Sequence, residues 1–234
     1  MNLTINSYIS ISIINMNPIA TDTICNLASS INKISTNNFF KQLQNLPLQT
    51  FILSHHNFGR AVNAWSVILA LLLSKVPSYK ERRVILRNLL DENDENPHVE
   101  TFEQFIKSLN NHSPVPRLQS ESCEYDHVIN TFIENMKMII ENNDWIGSCA
   151  ALGMIEYTYI TVSKHIHDYA SKFLTDSEIP HYSSHELIDI EHARDLFSII
   201  SPFLEKDPAK IMKGLNTGYT VLYEFYNSIS HLSS

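Results

Sequence analysis

The sequence predicts an all-α protein, a bundle of about seven helices. Apolar residues recur at helical spacing from about residue 48 onward, and no segment shows the alternation of a strand. Only five glycines and nine prolines occur in 234 residues, which favours long elements joined by few tight turns. Hydrophobic residues make up 44% of the chain and charged residues 18%, as in an ordinary soluble globular protein.

The helices can be placed in order from their start and stop signals. The first ends before Pro77, Ser78 is the N-cap of the second, and Asp207 with Pro208 begins the last. Residues 1–38, rich in Asn, Ser, Thr and Ile, predict a partly ordered N-terminal extension, and residues 39–234 a single helical domain. In chain order the predicted helices cover residues 48–76, 78–93, 96–109, 123–142, 144–174, 183–197 and 207–231.

Charge and composition exclude several classes of protein. A formal net charge of −8 leaves no basic surface for nucleic acid or an anionic membrane. The longest apolar run, residues 64–76, is too short to span a bilayer, and the N-terminus lacks the pattern of a signal peptide. Three cysteines without CxxC spacing indicate reduced thiols. We therefore expect a cytoplasmic protein that binds neither nucleic acid nor membrane.

The segment "SSHELIDIEHARDLF" places two imidazoles and a carboxylate on one side of a helix. His185, Asp189 and His192 stand at i, i+4 and i+7, which fall within roughly 60° of each other around an α-helix. Apolar residues surround this stripe, so it can face the interior. Such a stripe either binds a metal ion or is merely a polar helix face.

Three further candidates lie elsewhere in the chain. Glu156 is the only charged residue between Asp144 and Lys164, and a lone carboxylate on so apolar a helix is costly unless it is paired, protonated or metal-bound. The alternative is that Glu156 lies on a narrow, solvent-facing strip of this helix. Glu92 and His98 flank the turn in "NLLDENDENPHVETF", where a helix–turn–helix junction can aim both side chains at one point. Taken alone, that turn is more typical of a solvated surface.

Together the candidates are three imidazoles and three carboxylates from three helical regions. A mixed nitrogen and oxygen set suits iron or manganese better than a structural zinc site. Six ligands can hold two metal ions, and helix bundles are known hosts for such pairs. The six residues are Glu92, His98, Glu156, His185, Asp189 and His192.

The order of these residues resembles the heme-oxygenase-like di-iron oxidases and oxygenases, and within them the group around the chlamydial protein associating with death domains. The similar stretches are "LRNLLDENDENPHVETF", "AALGMIEYTYITVSK" and "SSHELIDIEHARDLF". The resemblance implies a PqqC- or TenA-like bundle of seven helices without heme. It also implies two Fe(2+) ions per chain, with manganese as an alternative, and all six residues as ligands and catalytic groups. Dioxygen would be the co-substrate, and a peroxo-di-iron species would oxidise a small amino-acid-derived, aromatic or fatty substrate.

Two departures from that pattern matter. The gap between Glu92 and His98 is one residue shorter than the resemblance implies, which leaves open whether Asp91 replaces Glu92 as ligand. The lysine expected ten residues after the central glutamate in the branch that forms para-aminobenzoate is Ile166 here, with Lys164 nearby.

Two alternatives to the oxidase remain at this point. One is a protein-interaction or effector module on the same fold, with a structural or vestigial metal site and a protein partner; it leaves secretion open. The other is a cofactor-free synthase or thiaminase-like hydrolase on the same fold, which would predict an apolar or cysteine-bearing pocket in place of the histidine stripe. A homodimer is compatible with either.

Some residues near the candidates receive lesser roles. One of His55 and His56 could line a substrate pocket, although a polar helix face is the simpler interpretation. His181 is a candidate for supporting a ligand, and Cys149 is interpreted as a small core residue.

Overall fold

The computed structural model describes residues 17–93, 98–113 and 119–233, without the side chains of residues 119–122 and 184–187. It is 85% helical, and the described residues contain no strand, which confirms the predicted all-α class. The ten α-helices of the described chain are α1 Pro18–Ile31, α2 Asn38–Leu43, α3 Leu48–His55, α4 Gly59–Lys75, α5 Tyr79–Asp91, α6 His98–His112, α7 Gln119–Asn142, α8 Trp145–Ala170, α9 Pro180–Ile200 and α10 Pro208–Leu232.

The N-terminal region differs from the predicted extension. Residues 1–16 lie outside the described residues, but α1 packs against α9 and α10, with Thr21, Ile24 and Ala28 buried along one face. Their spacing of three and four residues is that of an amphipathic helix. The bundle therefore includes residues that the composition of the first 38 positions had assigned to an extension.

The predicted first helix is also broken. Residues 48–76 form α3 and α4, separated at residues 56–58. Asn57 turns aside to donate a hydrogen bond to Asp126 at 2.6 Å. Phe58 is buried and Gly59 begins α4. Asn and Gly at a break are typical turn residues, and the apolar periodicity on both sides concealed it.

Helix α8 is the centre of the bundle, packed between α9 and α10. It approaches α10 very closely, because Gly214 and Gly218 face the backbone of Gly147 and Ala151. A Cβ atom at Gly218 would overlap the carbonyl oxygen of Ala151. This α8–α10 seam fixes the position of the central helix.

The C-terminal end of α5 is held against the middle of α9. Asn88 is fully buried and donates a hydrogen bond from its side-chain nitrogen to the backbone oxygen of His192 at 3.3 Å. The preceding residue, Arg87, forms an ion pair with Asp195 of α9. These contacts bring the residues that follow α5 to the face of α9 that carries His192.

One stretch, residues 48–75, is long and apolar enough to cross a membrane by length and composition alone. Core helices of soluble proteins pass the same test, so the evidence is weak. Here the stretch is interrupted between α3 and α4, and Phe51, Ile52, Ile68 and Leu72 are buried in the core of the bundle.

Candidate metal centre

Four elements bring candidate ligands to one buried place. Glu92 is the C-cap of α5, and His98 opens α6. Glu156 lies midway along α8, and α9 contributes Asp189 and His192. All five side chains are buried, with 1–7% of their surface exposed.

The donor atoms of these residues converge. Nδ1 of His98 lies 2.6 Å from Oε2 of Glu92. Nδ1 of His192 lies 3.5 Å from Oε1 of Glu92 and 3.7 Å from Oε1 of Glu156. One ligand atom from each of Glu92, Glu156 and His192 falls within 4.8 Å of the others, a spacing that can hold a metal ion.

Asp91 and Glu92 occupy different positions at this cluster. Glu92 points into the buried cluster, whereas the side chain of Asp91 is about half exposed. Oδ2 of Asp91 lies 3.3 Å from Nε2 of His192, the nitrogen on the far side of the ring from the glutamates. The structure therefore places Glu92 where a ligand would stand and Asp91 where it can orient a ligand histidine.

Of the two remaining predicted ligands, the structure describes the side chain of one, Asp189, and not that of the other, His185. Asp189 is almost fully buried and lines the same cavity as Glu92, His98 and Glu156. His185 belongs to α9, but its side chain lies outside the described residues. The structure brings five of the six predicted residues together, and the sixth is one helical turn from Asp189 on the same helix.

The charges of the cluster oppose one another. Burial raises the pKa of Glu156, and the carboxylates of Asp189 and Glu92 add to that rise, while His192 opposes it. Burial would also raise the pKa of Glu92, but His192 and His98 hold it below its usual range. Burial would lower the pKa of His192, and the carboxylates of Glu156 and Glu92 instead raise it. The two buried carboxylates thus favour a positive charge beside His192, which a metal ion could supply.

A cavity of about 60 Å³ adjoins these groups, with room for a few water-sized molecules. Its polar side is formed by the cluster together with Tyr159 and His181. Its apolar side includes Phe58, Trp65, Phe132, Met136 and Leu222.

Trp65 is a functional candidate that the sequence did not reveal. Its indole Nε1–H donates a hydrogen bond to Oε1 of Glu156 at 3.0 Å. A tryptophan within a helix of the core needs a partner for its N–H, and that need was the available signal. Trp65 can fix the orientation of the Glu156 carboxylate.

Of the residues that were given lesser roles, some lie at the cavity and others do not. His181 is buried, lines the cavity and places Nδ1 3.3 Å from the hydroxyl of Thr101, so it does border the cluster. Neither His55 nor His56 lines the cavity. Cys149 is fully buried, burial raises its pKa, and it is absent from the cavity wall, as expected of a core residue.

The residues present fit an iron site. Carboxylates and imidazoles are the ligands that non-heme iron and manganese prefer, and the described residues of the cluster include no thiolate. The fold and this donor set are those of a helical bundle whose buried side chains could hold a metal ion.

The chain belongs to the family of iron-containing redox enzymes, which matches residues 56–223. This match confirms the heme-oxygenase-like, PqqC- or TenA-like fold and an oxidoreductase-type family. The more specific similarity to the chlamydial group stays a prediction. No curated protein matches the chain.

Proposed function

We propose that the protein is a non-heme di-iron, dioxygen-dependent oxidase or oxygenase acting on a small organic substrate. The observation that carries the proposal is the convergence of Glu92, Glu156 and His192 in the core, beside a cavity. Buried carboxylates that lie so near to one another would lower the stability of a purely structural protein. They are expected where a cation neutralises them.

Each residue of the cluster has a role in this proposal. Glu92, His98, Glu156, Asp189 and His192 would hold two Fe(2+) ions, or manganese in their place, with His185 as the sixth ligand implied by resemblance. Bound there, the irons would supply the electrons for the reduction of dioxygen. Carboxylates favour the more highly charged metal by their own charge.

The residues around the cluster position it and keep water out. Trp65 holds one oxygen of Glu156 through its indole N–H. Asp91 approaches Nε2 of His192, which favours Nδ1 as the atom directed at the metal. Phe58, Phe132 and Met136 on the apolar wall exclude water and would pack against the substrate.

An interaction or effector module with a vestigial metal site is the other candidate, but no described feature favours it. A binding surface would not need five ionisable side chains buried beside an internal cavity. We further propose that the enzyme works in the cytoplasm on a small molecule, without nucleic acid or membrane, and that it can pair as a homodimer.

Anaerobic reconstitution with ferrous iron tests the proposal. We expect close to two irons per chain, and a transient visible absorption after dioxygen is admitted. His192→Ala should lose both, whereas His167→Ala, a change to a partly exposed histidine of the same bundle, should lose neither. Manganese loading in parallel distinguishes the two metals. A wild-type protein that binds neither metal would overturn the proposal.

A further inference from the structure

A second cavity, of about 180 Å³, lies between α7 and α10. Five of the nine residues that line it are polar, and none of them belongs to the cluster of Glu92, His98, Glu156, Asp189 and His192. The polar residues are His127, Thr131 and Asn135 of α7 with Glu224 and Ser228 of α10. We call this cavity the α7–α10 groove.

The cavity beside Glu92, Glu156 and Asp189 is called the metal cavity from here on. A single layer of aromatic rings separates the groove from it. Phe132 lines both of them. Phe225 lines the groove and packs on Phe132, with ring centroids 4.5 Å apart. The ring of Phe225 also stacks at 5.4 Å on Phe58, which lines the metal cavity. The side chain of Phe132 is therefore a wall that the two spaces share.

The metal cavity is too small to hold by itself a substrate as large as benzene. Its volume of about 60 Å³ compares with the roughly 150 Å³ cavity that accommodates benzene in another protein. A substrate that reaches the cluster therefore needs additional space. The groove provides about three times that volume immediately behind the Phe132–Phe225 partition.

The charges of the groove indicate which end group it accepts. Among the described residues that line it, Glu224 is the one carboxylate, and no Lys or Arg is present. The formal net charge of the chain is −8, which also disfavours an anion. Hydroxyl, amide and imidazole groups suit a hydroxyl or amine.

We propose that the α7–α10 groove is the substrate-entry subsite, and that it binds the hydroxyl or amine end of a non-anionic substrate whose apolar body passes Phe132 and Phe225 toward the metal cavity. This inference rests on the proposed function for the identity of the reaction, but the binding itself requires no iron. It can therefore be measured on the metal-free protein.

Trp65 is a natural reporter, because it lines the metal cavity and the chain has only one other tryptophan, Trp145. Trp145 packs edge-on against Phe203 at 5.3 Å and lines neither cavity. In a Trp145→Phe background, n-hexanol, n-hexylamine and n-hexanoate are titrated into the metal-free chain. We expect hexanol and hexylamine to shift the Trp65 fluorescence saturably, and hexanoate to bind at least tenfold more weakly.

Two substitutions fill the groove without touching the cluster. Thr131→Phe changes an exposed position, and Ser228→Phe changes a partly buried one, so at least the first should fold. Each should weaken hexanol and hexylamine at least tenfold. Thr23→Phe, an exposed threonine of α1 that lines neither cavity, should bind them as the parent does.

Three results would overturn the inference: no saturable binding to the parent, unchanged binding in both groove variants, or hexanoate binding as tightly as hexylamine. Iron per chain is counted in the same proteins. Normal iron with unaltered probe binding in the groove variants rejects the groove and leaves the oxidase standing. If the groove variants lose probe binding and the parent takes up no iron, the groove inference stands and the proposed oxidase is rejected.

Discussion

His55 and His192 are two histidines buried to almost the same extent, with 1% and 2% of their surfaces exposed, yet the protein treats them in opposite ways. The ring of His55 stacks on Phe51 at 4.2 Å and lies near Phe39 and Phe58. Burial lowers its pKa to about 4, against a weaker opposing effect of the backbone oxygen of Phe51. His55 is therefore neutral.

The surroundings of His192 reverse this outcome. Burial would lower its pKa too, but the carboxylates of Glu156 and Glu92 raise it well above the ordinary value. Depth of burial therefore does not decide the charge of an imidazole here; the neighbouring side chains do. An aromatic pocket makes a histidine part of the core, and a carboxylate cluster makes it a candidate ligand.

The largest expected effect comes from the α8–α10 seam, because α8 carries Glu156 of the carboxylate cluster. Gly218→Ala places a Cβ atom against the backbone carbonyl of Ala151, which no side-chain rotation can relieve. We expect the free energy of unfolding to fall by about 3 kcal/mol. Guanidinium denaturation followed by circular dichroism measures it.

Gly59→Ala is the matched control. A Cβ atom there would approach the ring of Phe102 at 3.2 Å, which is a contact with a side chain and not with the backbone. The change should alter the free energy of unfolding by less than about 1 kcal/mol. Equal losses in the two variants would mean that the close approach of α8 and α10 is not what holds the bundle.

The second effect isolates His55. Its folded pKa of about 4 lies below the ordinary value, so the unfolded chain takes up a proton first as the pH falls. This contribution leaves stability intact above about pH 6.5 and reduces it between about pH 6.5 and 4, by roughly 3 kcal/mol at most. His55→Gln should remove that part of the pH dependence.

His56→Gln provides the comparison, because His56 is the exposed neighbour of His55. Denaturation curves at pH 7, 5.5 and 4.5 for the three proteins separate this contribution from that of the carboxylates, which all three share. A wild-type slope in His55→Gln would show that His55 is not held neutral by its aromatic pocket.

These residues also show what a sequence can and cannot predict. Glu156 could be recognised because a lone charge on an apolar helix needs an explanation, and Asp189 with His192 because helical spacing places them on one face. The all-α class followed from the same periodicity. All of these signals are local in the chain.

What could not be predicted depends on contacts between distant segments. The bond from Trp65 to Glu156 and the approach of Asp91 to His192 join residues 91 and 101 positions apart. The neutrality of His55 depends on Phe39 and Phe58 as much as on its own turn. The break between α3 and α4 was hidden because the apolar pattern continues through it.

A third prediction concerns the cost of the carboxylate cluster. Glu156→Gln keeps an oxygen for the Trp65 N–H but removes one of two buried carboxylates that share His192. In the metal-free protein we expect the free energy of unfolding to rise by about 1 kcal/mol. Bound iron should fall to one per chain or less. Thermal unfolding with chelator and with iron measures both.

Glu124→Gln, at an exposed site on α7, should change neither quantity. The important feature is the opposite sign of the two effects of Glu156→Gln. If Glu156→Gln is less stable than the wild type without metal, Glu156 stabilises the fold and does not bind a cation. The cluster would then be a structural element of the core, as the His55 pocket is.

The last prediction tests how His192 is held. Asp91→Asn should leave iron bound but weaken its affinity about tenfold, because a carboxylate that accepts the far N–H of a ligand histidine fixes the ring and raises its basicity. Competition with a chelator of known affinity measures this shift. Asp168→Asn, at an exposed position of α8, is the control and should bind iron as the wild type does.

The same experiment decides between the two acidic neighbours. If Asp91 were the ligand in place of Glu92, Asp91→Asn would remove an iron outright and Glu92→Gln would only weaken binding. The structure predicts the reverse, because Glu92 is buried within reach of both His98 and His192 while Asp91 approaches only the outer nitrogen of His192. The charge that distinguishes His192 from His55 would then come from two shells of carboxylates, an inner one that binds the metal and an outer one that aims the ring.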